Sequence, residues 1–185
     1  MSDLPAQLSE YRDAFAQCAR TARRIWQEAS PGALAIPPDA DGWSAAQCLA
    51  HLNATAAPLT DALEAGIFNA QRHGPHGTPP FEYAWYERLF IATVDPDNAW
   101  RVPAPPMTRP VPQPDPNAVL DSFCDLQERL AVCVARSARL DLSRVRVASP
   151  VIPLFAMSVG AWFVVTINHQ QRHLKQARRA LAVVA

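Results

Sequence analysis

Apolar side chains recur at alternating spacings of three and four along four separate stretches of this 185-residue chain. No other feature constrains the fold as strongly, because that period lays one apolar stripe along each helix and every stripe needs another to cover it. The first stretch, about residues 4–29, carries Leu8, Tyr11, Phe15, Cys18, Ala22 and Ile25 and stops at Ser30-Pro31-Gly32. The second opens on Trp43-Ser44, with Ser44 as N-cap, Gln47 completing a capping box and Trp43 placed to staple against Cys48. Its stripe, Leu49, Leu52, Ala56, Leu59, Leu63 and Ile67, is interrupted by Pro58, which lacks a backbone donor and should kink the helix near Ala54 and Thr55. The third begins with Asp115 as N-cap and Pro116 at the first helical position and runs to about Leu140. The fourth is capped by Ser158 and carries Phe163, Ile167, Leu174, Ala177 and Leu181 nearly to the end of the chain.

Between the second and third stretches the pattern lapses, and eleven of the 18 prolines fall between Pro75 and Pro116. Residues 71–116 therefore form a long crossover, and its aromatics Phe81, Tyr83, Trp85, Tyr86, Phe90 and Trp100 predict that it packs something of its own. A short helix is expected over Tyr83–Ala92, an extended run over Arg101–Pro114, and a linker over Asp141–Phe155. The fold class expected is all-α, a four-helix bundle with a long crossover between helices two and three, in one domain spanning residues 1–185.

With 17 basic and 17 acidic residues the formal charge is zero, so nothing draws the chain to nucleic acid or to an anionic membrane. The nearest thing to a membrane span, Val159–Ile167, is too short, and Met1–Glu10 has no apolar signal core. A cytoplasmic location is expected. The cysteines Cys18, Cys48, Cys124 and Cys133 fit no metal or redox spacing and read as small buried hydrophobes without disulfides.

Chemistry concentrates in the histidines. His169 and His173 stand four apart on the fourth helix, so their rings project from one face and can converge on one zinc, nickel or iron ion. The same spacing also occurs in ordinary surface or core histidines, and Gln170 stands where a metalloprotease would need its glutamate. His51, early in the second helix, is the candidate third ligand, with His73 and His76 of the crossover in reserve. Three imidazoles and no carboxylate leave a coordination position open to water or substrate. Trp162, Thr166, His169, His173 and Gln176 share one wall of the fourth helix. There Gln176 either orients His173 or caps a polar patch, and Arg172 either grips a substrate carboxylate or makes a surface or interface salt bridge.

The segment Trp43-Ser44-Ala45-Ala46-Gln47-Cys48-Leu49-Ala50-His51-Leu52, taken with His169-Gln170-Gln171-Arg172-His173-Leu174-Lys175-Gln176, resembles the two signature stretches of the DinB-like superfamily. That resemblance implies a four-helix bundle in which His51, His169 and His173 hold a divalent metal, often nickel or zinc. It also implies kinship with transferases and isomerases that use low-molecular-weight thiols. The function expected is a metal-dependent transferase or hydrolase acting on a small-molecule substrate with a thiol or water. The alternatives are a non-catalytic bundle that keeps the histidines as a binding or stability site, with a homodimer through exposed helix faces, and a metal-free interaction module.

Overall fold

Ser44 caps the second helix from both sides: its Oγ accepts from the Gln47 N–H at 3.2 Å, and its own N–H donates to Gln47 Oε1 at 2.9 Å. In the computed structural model, which describes residues 4–98 and 103–184, the long helices are α1 (Ala6–Glu28), α2 (Ala45–His73), α4 (Pro116–Arg136) and α5 (Val159–Val184). Gly32, at φ 82°, takes the left-handed conformation that ends the turn after α1, where any side chain would be strained. Asp115 caps α4 through its Oδ1 and Pro116 follows at the first helical position. Ser158 Oγ accepts from the Ala161 N–H to start α5.

Helix α1 packs on α4 and α5, and α2 packs on the same two, so α1 faces α2 across the bundle and α4 faces α5. The site-bearing helices α2 and α5 are therefore neighbours. Phe15, Phe123 and Phe163 are fully buried in the interior, each contributing up to about 3 kcal/mol through lost water contact. One apolar cluster gathers Phe15, Leu63, Leu130 and Phe163, and a second gathers Cys18, Leu49, Leu52, Phe123 and Leu174. All four cysteines are free and buried.

Several boundaries move. Helix α2 runs unbroken through Pro58 to His73, so the crossover starts at Gly74 rather than at Gln71. Thr55 Oγ1 donates to the carbonyls of His51 and Leu52, one turn ahead of the proline. Helix α4 stops at Arg136 rather than near Leu140, because Ser137 turns its hydroxyl back onto the Cys133 carbonyl at 2.7 Å. The expected linker over Asp141–Phe155 holds the first strand of a small antiparallel hairpin, β1 (Arg146–Ala148) with β2 (Ala156–Ser158). The extended run before Pro114 contains a 3-10 turn at Pro106–Thr108; Trp100 and Arg101 lie outside the described residues.

The expected short helix is α3 (Trp85–Thr93). Glu87, only 1% exposed, joins it to the hairpin and to α5 by accepting from the Ser158 N–H, the Arg146 guanidinium and the Ala84 N–H. Tyr83 bonds the Tyr11 hydroxyl at 2.5 Å and lies so close over Gly160 that a Cβ there would collide with its ring. Phe90 packs on Phe155 and Trp162. Phe81, Tyr83 and Phe90 thus fill the end of the bundle at the start of α5, while Trp85 stays exposed and the histidines lie farther along that helix.

Candidate metal centre

Because α2 and α5 are neighbours, the imidazole of His51 meets those of His169 and His173. One nitrogen from each ring lies within 4.8 Å of the other two, and His51 Nε2 is 3.2 Å from His169 Nε2. A tetrahedral zinc with bonds of about 2.0–2.1 Å spaces its ligand nitrogens about 3.3 Å apart. The observed separations lie in the range that a small collapse of the rings onto an ion would reach.

Hydrogen bonds select the tautomers. His51 Nδ1 is 2.7 Å from the Thr108 carbonyl, which can only accept, so Nδ1 carries the proton and Nε2 presents a lone pair. His173 Nδ1 donates in the same way to Gln176 Oε1 at 2.9 Å, leaving its Nε2 for the centre. The facing nitrogens of His51 and His169 can share either a proton or a cation. Electrostatics keep all three rings neutral, the form a metal needs. Burial pushes the pKa of His51 below its ordinary value against the contrary pull of the Thr108 carbonyl. Burial, then the neighbouring imidazoles and Arg172, drive His169 well down, and burial with His51 lowers His173 to about 3. Among the described residues no fourth ligand-type side chain joins the three histidines. Cys48 lies nearby in α2, but burial pushes its thiol up to about 12 and it packs with Ala45 and Ala177.

Trp43, expected to staple the helix start, packs against the Cys48 cluster and also covers the histidines. Its ring stacks on His173 at 5.8 Å and 24°, and tilts over His51 at 4.9 Å. The other residues expected on the α5 wall are placed as follows. Gln176 holds His173. Arg172 Nη1 donates to the carbonyls of Asp95 and Thr93 at 3.3 and 3.4 Å, tying the end of α3 to α5. Trp162 is buried in the core with its indole N–H on the Val147 carbonyl at 2.9 Å, and the Thr166 hydroxyl donates to the Trp162 carbonyl. Of the reserve ligands, His73 is exposed at the end of α2, and His76 bonds the Arg139 carbonyl through Nδ1; neither joins the cluster. The Thr108 carbonyl escaped sequence reading because any residue offers a carbonyl; the only local signal was the pair Pro105-Pro106, which stiffens the backbone before it.

A bundle in which two neighbouring helices bring three neutral imidazoles to one point is a helical protein with a site that could hold a metal ion. The chain belongs to the DinB superfamily, whose family model matches residues 14–177. No curated protein and no solved structure matches the chain. No helix among the described residues is long and apolar enough to cross a membrane.

Proposed function

We propose that this chain is a metal-dependent transferase or hydrolase, in which His51, His169 and His173 hold one divalent ion, nickel or zinc. The observation that carries the reading is the convergence of three neutral imidazoles with no carboxylate or thiolate among them. Such a donor set leaves the ion's charge uncompensated and a coordination position open. When bound, the ion supplies Lewis acidity and acidifies a water or a low-molecular-weight thiol that reaches it. The chain's own groups do the positioning. The Thr108 carbonyl and Gln176 fix the rings of His51 and His173, Arg172 holds the crossover against α5, and burial of His51 excludes bulk water from the inner side. A small molecule as the partner, rather than nucleic acid or an anionic membrane, is supported by the balanced charge.

The indole lying over His51 and His173 favours a second reading, a closed, non-catalytic metal site that stabilises the bundle, with a homodimer formed through exposed helix faces. Titrating the cobalt-substituted protein with small thiols separates the two. The enzymatic reading predicts a sulfur-to-cobalt charge-transfer band and altered visible bands; spectra indifferent to every thiol would leave the closed site.

A further inference from the structure

A surface cavity of about 640 Å³ adjoins the histidine cluster through a shared wall, the indole of Trp43. The rest of its lining comes from Asp41, Gln47, Arg109, Pro110 and Pro112 among others. Its size is within the range of about 300–1,000 Å³ typical of small-molecule sites. The strap of crossover over residues 103–112 that forms one side is pinned to α2 at two points. Gln47 Nε2 donates to the Pro112 carbonyl at 2.9 Å, and the Thr108 carbonyl accepts from His51.

Arg109 follows Thr108 directly. Among the described residues its only side-chain hydrogen bond is a long one, 3.4 Å from Nε to the Ala104 carbonyl, so both Nη groups are uncommitted. Asp41 donates its backbone N–H to Asp39 Oδ1, and among the described residues no ion pair engages either the Asp41 carboxylate or the Arg109 guanidinium. One uncommitted cation and one uncommitted anion therefore line the same cavity, beside an indole and proline rings. A ligand with a single charge would meet attraction at one and repulsion at the other; a ligand with both charges and an apolar body satisfies all three surfaces.

We infer that this cavity binds a small zwitterion, an α-amino acid or a close derivative. Its carboxylate pairs with Arg109, its ammonium pairs with Asp41, and its side chain lies on Trp43 and the prolines. The coupling of this cavity to a bound metal rests on the metal-dependent reading above; the binding itself does not. Because Trp43 touches both the ligand and His173, and the strap carries both Arg109 and the carbonyl that orients His51, occupancy is linked to the metal site, and the linkage is reciprocal.

The test is a titration of the metal-free and the zinc-loaded protein with L-phenylalanine, followed by the indole N–H resonance that disappears in Trp43→Phe. A saturable shift is expected in both forms. R109Q and D41N, each changing an exposed side chain, should each weaken binding about fivefold or more, as should replacing the probe by phenylacetate or phenethylamine, which lack one charge each. No saturable shift, or equal binding by both variants and both singly charged probes, overturns the inference. Zinc failing to bind while L-phenylalanine shifts the resonance would remove the metal reading and leave the cavity; the reverse result would do the opposite.

Discussion

Acidifying the metal-free protein should destabilise it steeply, because three imidazoles are held neutral in the fold. All three have folded-state pKa values below the ordinary histidine value, His173 at about 3, with burial as the first cause in each case. As pH falls, the unfolded chain takes up protons first, from about 6.5 downward. Their contribution is therefore fully present above that value and is lost as the pH drops toward the folded values. One unit below the unfolded pKa, each ring that stays neutral costs about 1.4 kcal/mol, or about 3 kcal/mol for His169 and His173, to which His51 adds in the same direction. His169 and His173 are partly exposed, and the water they meet reduces the expected sum to about 3 kcal/mol. Urea denaturation of chelator-treated wild type and of the H51N/H169N/H173N protein, near pH 7.5 and pH 5.5, isolates this contribution. His73 and His76 are present in both proteins and cancel. Wild type should lose about 3 kcal/mol more than the triple variant over that interval. Equal losses would refute the claim that the folded state keeps these rings uncharged.

Glu87→Ala should destabilise the protein by about 2–3 kcal/mol, since it orphans the buried Ser158 N–H and takes the carboxylate from Arg146, which is partly exposed and keeps its bond to the Ala156 carbonyl; urea midpoints measure it, and a change below about 1 kcal/mol would contradict the role given to this carboxylate. Gln176→Leu should leave folding intact but weaken zinc binding by about 10–100-fold, because His173 Nδ1 loses the acceptor that orients it. Competition with a chromophoric chelator reads that loss, and unchanged affinity would mean that the bond has no bearing on the metal.

The long helices were legible because their signals are local. The box of Ser44 and Gln47, the Asp115-Pro116 start and the three-four stripes each act within a turn or two, and the structure keeps all of them. The hairpin of Arg146–Ala148 and Ala156–Ser158 was not legible, because three-residue strands are too short to show alternation. What holds it is remote: Glu87 from α3 and the Trp162 indole on the Val147 carbonyl. At the histidine cluster, the pair on α5 followed from helical spacing alone, whereas the approach of His51 depended on α2 and α5 being neighbours, a matter of bundle order that periodicity does not encode. Trp162 shares an α5 face with His169 in projection, but two turns along the helix the same direction points into the hairpin rather than at the histidines. The grip of Thr108 on His51 lies still further from pattern reading, since backbone carbonyls leave no trace in residue identity.

The most direct measurement is the zinc stoichiometry, after equilibrium dialysis, of the untagged wild-type protein and of the H51A, H169A and H173A variants. One ion per wild-type chain, lost from each folded variant, is the result expected if three rings from two helices share it. Wild type without stoichiometric zinc, or H51A retaining as much as wild type, would contradict the shared centre.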